Sequence, residues 1–259
     1  METLKIIKIG GNIIDDPTAL QAFLIRFSKI KGPKILVHGG GKLATQMAAQ
    51  MKVEVKMVKG RRVTNAETLD IITMVYAGKI NKNIVAQLQQ YDCNSLGFTG
   101  ADGNTIISIK RPIKDVDYGY AGDIIQVRTQ LLETLIRANI CPVFCAITHD
   151  KQGQLLNTNA DTIASELAIA FASAYTTELY YCFEKNGVLK DVNDNDSLIE
   201  HINKSSYLDL LDQQIISDGM LPKLTNCMNA IDHKVSKVCL GTSDMLFKPS
   251  AKYTTIQAS

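Results

Sequence analysis

The stretch Leu4-Lys5-Ile6-Ile7-Lys8-Ile9-Gly10-Gly11-Asn12 is an apolar strand that ends in two glycines. The pattern recurs where the apolar run Ile35-Leu36-Val37 leads into His38-Gly39-Gly40-Gly41-Lys42. In an open α/β sheet, ligands bind at the carboxyl ends of the strands, and helix N-termini present free N–H groups to anions. Two glycine turns, each beside a lysine, therefore predict a cradle for a phosphate or carboxylate group.

Short apolar runs alternate with longer segments of helical periodicity, which predicts an α/β fold with a mostly parallel sheet. The segments 53–58 and 105–127 interrupt this alternation, and we expect them to be β-hairpins that form a rim or lid. The strands are predicted at 4–9, 34–38, 94–97, 141–146, 178–183 and 236–240, and the helices at 18–29, 42–51, 66–90, 129–138, 161–173 and 220–232.

The composition is that of an ordinary soluble protein, with 259 residues, 46% hydrophobic residues and a formal charge of +2. This balance argues against a disordered chain, a nucleic-acid binder and a membrane-surface protein. No apolar run approaches the ~20 residues that a membrane span needs, and no cleavable leader is apparent, so we expect a cytoplasmic protein. The six cysteines form no C-x-x-C pair and are expected to be buried, reduced thiols.

Common nucleotide and catalytic motifs fit poorly. Residues 39–44 match G-x-G-x-x-A, but Glu54, the acidic residue at the expected distance, lies in a hairpin pattern rather than at a strand end. A phosphate-binding P-loop fails because Leu36 and Leu43 stand where glycine and Ser or Thr are required. The four histidines suggest no triad or metal site, and surface or turn roles are predicted for them: His38, His149, His201 and His233.

Two further clusters carry groups suited to anion chemistry. Arg62 lies between a hairpin and a helix, where a guanidinium can clamp a carboxylate through two hydrogen bonds, whereas Arg61 is interpreted as a solvated charge. Asn157 can hydrogen-bond a polar substrate from an extended segment. Asp161, in the first turn of the next helix, has the sign to hold lysines in place.

Lys223 lies at the expected start of a helix that Asp218 would cap. A cation is disfavoured at the positive end of a helix unless an anion lies between them. A solvated surface lysine is the ordinary alternative. The position therefore favours, without requiring, an anion-binding role for Lys223.

Taken together, these motifs resemble those of the amino acid kinase family, and within it the members that phosphorylate N-acylated glutamate. They follow the family's order and span nearly the whole chain. The resemblance implies a single domain, residues 1–259, built as a three-layer α/β/α sandwich with a mostly parallel central sheet. The matching residues are 8–11, 38–41, 62–64, 102–103, 120–123, 157–161 and 218–223.

The resemblance implies transfer of a phosphoryl group from ATP to the γ-carboxylate of N-acetyl-L-glutamate, in arginine biosynthesis. Lys8 and Lys223 would stabilise the transferring group, and Asp161 would hold both lysines. Gly10 and Gly11 would offer N–H groups to phosphate oxygens, and Mg²⁺ would be held mainly by ATP oxygens and water rather than by the protein. The acylated glutamate would contact Gly40, Gly41, Arg62 and Asn157, with Gly39 completing the cradle.

The nucleotide side departs from the family pattern, because residues 183–189 read Phe-Glu-Lys-Asn-Gly-Val-Leu where relatives commonly have a Ser/Thr-Asp pair. Residues 1–174 are expected to bind the acylated glutamate and drive dimerisation, and 175–259 to bind ATP, with the lobes meeting near Ala174. The expected ATP contacts on this side are Glu184, Lys185, Asn186, Gly187, Val188, Leu189, Ile215 and Ser217.

Several alternatives stay open. The acyl group could be succinyl rather than acetyl, since the basic Lys59 and Arg61 could accept a second carboxylate. Another acceptor, such as carbamate, a uridylate, aspartate or free glutamate, is a further alternative, and so is a non-enzymatic sensor. Because the chain starts directly at its first strand, the resemblance also implies a homodimer that arginine does not inhibit.

Overall fold

The computed structural model describes residues 1–58, 60–191, 193–213 and 220–258. Its main element is an eight-stranded sheet of order β14-β16-β15-β11-β1-β2-β8-β5, parallel except that β16 runs antiparallel to β15. The strands are β1 Thr3–Ile9, β2 Lys34–His38, β3 Met57–Val58, β4 Arg61–Arg62, β5 Ser95–Phe98, β6 Ile106–Lys110, β7 Gly122–Val127, β8 Cys141–Phe144, β9 Ile147–His149, β10 Leu155–Asn157, β11 Thr176–Cys182, β12 Val188–Leu189, β13 Leu198–Ile199, β14 His201–Ile202, β15 Lys237–Gly241 and β16 Thr254–Ile256.

Helices cover both faces of this sheet. The crossovers from β1 to β2 and from β2 to β5 run one way along the sheet, whereas those from β8 to β11 and from β11 to β15 run the other. Because parallel crossovers are right-handed, the two groups of helices lie on opposite faces. The helices are α1 Gly11–Ile14, α2 Pro17–Ser28, α3 Gly41–Gln50, α4 Ala66–Thr73, α5 Asn81–Gln90, α6 Gln130–Arg137, α7 Ala160–Phe171, α8 Lys204–Asp212 and α9 Leu221–Asp232.

The six predicted strands and the six predicted helical segments are confirmed. The observed bounds of each differ from the predicted bounds by no more than two residues at either end. The predicted helix over residues 66–90 is continuous but contains a π-helical segment, Met74–Ile80, between α4 and α5. A π segment adds one residue to a turn and often marks a functional site. This segment faces the second glycine turn, as described below.

The strand register places the carboxyl ends of four strands in one row. Ile9 pairs with His38 on one side and Cys182 on the other, and Cys182 pairs with Gly241. The residues that follow these ends therefore emerge at the same edge of the sheet. This alignment brings the two glycine turns beside each other and beside the loop after β11.

A second sheet of order β10-β9-β6-β7 lies beside this edge. The expected hairpin within 105–127 is confirmed as β6 and β7, with a β-bulge between Ile107 and Ser108. The hairpin expected at 53–58 is displaced, because only Met57 and Val58 pair, with Arg62 and Arg61 respectively. Gly60 has a φ of +73°, so the turn forms there and not within the alternating run before it.

Burial confirms one expectation and corrects another. All six cysteines are buried and none is paired with another. His38, predicted to have a surface or turn role, is instead fully buried at the end of β2, with 0% of its area exposed. Among the described helices, none combines the length and the apolar character that crossing a bilayer requires.

Candidate active site

Three charged side chains from separate elements meet at the carboxyl edge of the central sheet. Lys8 lies near the end of β1, Asp161 in the first turn of α7 and Lys223 in the first turn of α9. The Lys8 ammonium lies 2.8 Å from one carboxylate oxygen of Asp161, and the Lys223 ammonium lies 2.5 Å from the other. The predicted association of both lysines with Asp161 is therefore present. We call this trio the two-lysine clamp.

The charges in the clamp do not cancel. Burial alone would raise the pKa of Asp161, but the two lysines outweigh that effect and hold the pKa well below its usual range. With Asp161 ionised, the clamp carries a net charge of one positive unit in a partly buried place. The Lys223 ammonium also lies over the rings of Tyr181 and Phe183, 4.8 Å and 5.8 Å from their centroids. Such a site attracts an anion to the two ammonium groups.

The sequence positions Asp161 through the cap of its helix. The side-chain oxygen of Asn159 accepts hydrogen bonds from the backbone N–H groups of Asp161 and Thr162 at 2.7 and 3.2 Å. The Tyr181 hydroxyl, on β11, donates to the Asp161 backbone carbonyl at 2.9 Å. Asn159 is thus a helix cap, and Asp161 is free to pair with the lysines.

The first glycine turn differs in detail from the prediction. The Gly10 N–H donates to the Cys182 carbonyl at 3.1 Å, so it is already used within the protein. The Gly11 N–H, at the start of α1, has no acceptor among the described residues. Gly10 serves a close approach between β1 and β11, because an added Cβ would lie 3.2 Å from the Cys182 carbonyl oxygen. Of the two glycines predicted to offer an N–H to phosphate oxygens, Gly11 alone has its N–H without an acceptor among the described residues.

A cavity of about 240 Å³ opens beside the second glycine turn. It brings together the four residues predicted to contact the substrate, although they come from α3, β4 and β10 and the turn before α3. Arg61, interpreted from sequence as a solvated charge, also lies at this cavity. The lining residues are Gly39, Gly40, Gly41, Met57, Gly60, Arg61, Arg62, Tyr76, Arg111, Ala121, Ala146, Asn157, Thr158, Asn159 and Ala160.

Arg62 is the buried cation of this cavity. Its Nη2 donates to the Gly41 carbonyl at 2.9 Å and to the Thr45 hydroxyl at 2.8 Å, and only 9% of the residue is exposed. Its Nη1 is also buried but has no hydrogen-bond partner within the described chain. A buried guanidinium nitrogen without an acceptor is costly, so the arrangement is suited to a ligand that supplies an anionic oxygen.

Asn157 joins the second sheet to the loop that carries Arg62. Its side-chain amide donates to the Thr64 hydroxyl at 3.0 Å, and its backbone N–H donates to the Tyr120 carbonyl at 2.8 Å. Thr64 and Tyr120 are themselves linked, since the Tyr120 N–H donates to the Thr64 carbonyl at 2.7 Å. The β6–β7 hairpin, β10 and the Arg62 loop therefore form one wall of the cavity.

Two lining residues with polar side chains, Tyr76 and Arg111, belong to none of the motifs singled out from the sequence. Tyr76 lies in the π segment, and its hydroxyl is near the position that a Cβ on Gly41 would take, at 3.9 Å. Arg111 directly follows β6, and its guanidinium group pairs with the Asp123 carboxylate at 2.6 Å. No sequence motif indicates Tyr76. Arg111 could have been identified, because it lies in the predicted hairpin segment 105–127 together with Asp123, an acidic residue that it could pair with.

The predicted nucleotide side is formed by the loop after β11. Gly187 has a φ of +159°, and an added Cβ would lie 2.4 Å from the Thr254 hydroxyl oxygen, which also accepts from the Val188 N–H at 2.8 Å. This loop begins at the same sheet edge as the clamp. Nucleotide contacts through 184–189 stay a prediction, and Ile215 and Ser217 lie outside the described residues.

The described residues contain no group of three or more His, Cys, Asp or Glu side chains arranged to hold a metal ion. Both carboxylate oxygens of Asp161 face lysines, so this acidic group is poorly suited to bind a cation directly. A divalent ion at this site would therefore take most of its oxygen ligands from the bound substrate.

Comparison with known proteins agrees with this geometry. Acetylglutamate kinase from Cytophaga hutchinsonii is 52% identical over 247 residues, covering 95% of this chain and 94% of the relative. Acetylglutamate kinase from Phocaeicola vulgatus is 54% identical over 239 residues, covering 92% and 93%. The sequence model of the amino acid kinase family matches residues 3–241.

More distant solved structures share the fold. Carbamate kinase from Giardia lamblia bound to AMP-PNP superposes with a TM-score of 0.71 at 15% identity, covering 100% of this chain and 99% of that one. N-acetylglutamate synthase from Neisseria gonorrhoeae, complexed with coenzyme A and N-acetyl-glutamate, gives 0.83 at 18% identity, covering 100% and 60%. With its mostly parallel sheet and close relatives along nearly its whole length, the chain belongs to the amino acid kinase family.

Proposed function

We propose that this protein is an acetylglutamate kinase, which transfers the γ-phosphoryl group of ATP to the γ-carboxylate of N-acetyl-L-glutamate in arginine biosynthesis. The observation that carries the proposal is the two-lysine clamp beside a cavity whose buried Arg62 lacks an acceptor for one nitrogen. Close relatives named for this activity support the choice of acceptor.

The chemistry suits a site without a general base. A carboxylate is already ionised at neutral pH, so the acceptor needs no proton removed before it attacks phosphorus. The difficulty is to hold two anions in line against their mutual repulsion. Lys8 and Lys223 neutralise the charge on the transferring phosphoryl oxygens, and Asp161 keeps the two ammonium groups at a fixed separation. Arg62 and Asn157 hold the acylated amino acid in the cavity.

ATP is the proposed phosphoryl donor. Its phosphates approach the Gly11 N–H and the clamp, and its nucleoside part lies toward residues 184–189. Mg²⁺ supplies further charge neutralisation when bound and is held mainly by phosphate oxygens and water, since Asp161 is paired with lysines. In this arrangement residues 1–174 contribute the acyl-glutamate groups and residues 175–259 most of the ATP groups.

We further propose a cytoplasmic homodimer, on the resemblance to the family. β5 is an edge strand of the described central sheet, and its Leu96 is 46% exposed. An exposed apolar residue on an open strand edge is a suitable place for a second copy of the chain. The β6–β7 hairpin is proposed as a lid, because Arg111 and Ala121 already border the cavity.

The test of the acceptor is a comparison of kcat/KM on N-acetyl-L-glutamate and N-succinyl-L-glutamate, with ADP release measured by a coupled assay. The expected preference for the acetyl compound is about tenfold or more, equivalent to ~1.4 kcal/mol. Succinyl specificity is the second candidate, because Arg61 and Arg111 line the cavity and could accept the extra carboxylate. A reversed preference would establish it.

Free glutamate, aspartate, carbamate and uridylate serve as controls in the same assay. Turnover on one of these above both acylated glutamates would replace the proposed acceptor while keeping the phosphoryl-transfer site. Absence of ADP release with every acceptor would favour the non-enzymatic sensor. A sensor has no requirement for two lysines fixed around one carboxylate, which is why we place it last.

Substitution of Arg62→Lys should raise KM for N-acetyl-L-glutamate by about 10- to 100-fold, because a point charge cannot replace the planar guanidinium on the substrate carboxylate. KM for ATP should change little. Arg26→Lys is a matched control, since Arg26 also pairs with an acidic residue, Asp244 at 2.9 Å, but lies away from the cavity. Equal effects on the two KM values would contradict a specific role in acyl-glutamate binding.

A further inference from the structure

The buried imidazole of His38 lies between the central sheet and the second glycine turn. Its Nδ1 is 2.8 Å from the carbonyl oxygen of Gly39, the next residue, and its Nε2 is 3.1 Å from the side-chain nitrogen of Asn81. The same Asn81 nitrogen donates to the Val143 carbonyl at 2.9 Å. His38 is 0% exposed and Asn81 is 1% exposed, so no water competes for these bonds.

The Gly39 and Val143 carbonyl groups lie at the two ends of this series of hydrogen bonds, and they determine the tautomer of His38 and the orientation of the Asn81 amide. A carbonyl only accepts, so Nδ1 of His38 must carry a hydrogen toward Gly39, and the Asn81 atom facing Val143 must be its NH₂ group. That NH₂ group then donates its second hydrogen to Nε2 of His38, which must be unprotonated. Asn81 cannot be turned round, because its oxygen would then face the Val143 carbonyl.

The surroundings keep this imidazole neutral. Burial, helped by the nearby Lys82 ammonium and opposed by the bond to Gly39, lowers the pKa of His38 to about 4. Lys82 also donates to the Asn81 side-chain oxygen at 3.1 Å, which leaves that oxygen no freedom to exchange places with the nitrogen. The ring is therefore a fixed Nδ1–H donor rather than an acid or base.

The hydrogen bond from His38 to the Gly39 carbonyl also fixes the direction of the Gly40 N–H, which belongs to the same peptide group. All described peptide bonds are trans, so the Gly40 N–H points opposite to the Gly39 carbonyl. His38 holds that carbonyl toward the buried side, and Gly39 and Gly40 line the cavity. The N–H groups of Gly40 and Gly41 have no acceptor in the part of the chain that the structure describes.

We propose that His38 is a positioning residue for phosphoryl transfer, which, held by Asn81, fixes the Gly39–Gly40 peptide so that the Gly40 N–H faces the reacting anions. This inference rests on the proposed function. Gly97 supports the arrangement, because an added Cβ there would lie 1.9 Å from the Asn81 side-chain oxygen. The lack of a side chain at Gly97 thus leaves room for the Asn81 side chain beside the imidazole.

The test compares two substitutions that separate hydrogen bonding from packing. His38→Phe keeps a buried planar ring but removes the donor, and should lower kcat by about 10- to 100-fold with little change in either KM. His38→Asn loses ring volume but places an amide N–H near the former Nδ1, and should stay within about threefold of wild-type kcat. The more loosely packed variant is thus expected to be the more active one.

A merely structural role predicts the opposite order, with activity following thermal stability. Leu88→Val is the control for core destabilisation, since Leu88 is a fully buried residue on α5, the helix that carries Asn81. It should lower the melting temperature and leave kcat unchanged. If His38→Phe retains wild-type kcat, or if His38→Asn is no better than His38→Phe, the positioning role is wrong.

A second measurement does not depend on activity or on a variant that folds. In a ¹⁵N spectrum of the histidine side chains of the wild-type protein, His38 should show a protonated Nδ1 and an unprotonated Nε2 at neutral pH. The other tautomer would overturn the inference even if the enzyme were active. Failure of the wild type to phosphorylate any acylated glutamate would instead remove the proposed function, while the tautomer result would stand alone.

Discussion

Replacement of Lys8 or Lys223 by alanine is expected to reduce kcat by about 10²- to 10³-fold, the loss typical when one preorganised group that stabilises transition-state charge is removed. Each lysine is held on Asp161. In the proposed mechanism each faces the place where charge builds up on the transferring phosphoryl group. ATP binding should weaken much less, because the adenosine part and the remaining lysine still interact with the nucleotide. Steady-state kinetics with N-acetyl-L-glutamate, together with calorimetric ATP affinities, separates the two effects.

Lys237→Ala is the matched control for these substitutions. Lys237 also forms a partly buried pair with a carboxylate, Glu178 at 3.0 Å, on neighbouring strands of the same sheet. Its loss removes a comparable ion pair at the opposite ends of those strands, and should leave kcat near the wild-type value. A variant of Lys8 or Lys223 with near wild-type turnover would show that this lysine has no role in the transition state.

The clamp also predicts which replacement is tolerated. Arginine keeps the positive charge at position 8 or 223 but is longer, and 16% and 17% side-chain exposure leave little room for it. A partial loss of kcat in Lys8→Arg, smaller than that of Lys8→Ala, is therefore consistent with a charge effect limited by geometry.

The parts of the site that were predictable from sequence are those set by local pattern. Apolar runs before Gly10 and Gly39 specify strands, and parallel pairing then places both strand ends in one row. Asp161 could be singled out as a carboxylate in the first turn of a helix, with the sign to hold lysines, whereas its pairing with Lys8 and Lys223 was implied only by the family resemblance. The row of strand ends and the position of Asp161 needed only strand periodicity, helix-start chemistry and the rule that ligands bind at the carboxyl edge.

The rest depended on tertiary contacts that no single segment records. Tyr76 lines the cavity from within the π segment, and the sequence pattern predicted a regular helix there. His38 was predicted to have a surface or turn role, since burial of a histidine depends on partners such as Asn81, 43 residues away along the chain. The hairpin expected before Val58 was displaced because residue alternation marks extended chain but does not say which residues pair.

Gly40→Ala is expected to impair both stability and catalysis, because Gly40 has a φ of +150° and an added Cβ would lie 2.2 Å from the Cδ1 atom of Ile80. Backbone strain and overpacking each cost about 1–3 kcal/mol in stability. Relief of either would move the Gly40 N–H away from the cavity, so kcat should fall as well. Gly78→Ala, in the same π segment as Ile80 and with open space around its Cβ, should leave kcat unchanged and should not lower stability.

A double substitution separates the two causes. Ile80→Val removes the Cδ1 atom that the new methyl group would strike, so Gly40→Ala/Ile80→Val should recover the largest steric part of the lost stability and leave only the tight contacts with the Tyr76 ring at 3.1 and 3.2 Å. The backbone part should persist, because alanine is strained at a φ of +150° whatever space surrounds it. Full recovery of stability and kcat would mean that the turn does not need glycine's backbone freedom. If no stability were recovered, contact with Ile80 would not be a cause of the destabilisation. Either result would contradict the explanation that position 40 needs glycine for both its backbone conformation and its lack of a side chain.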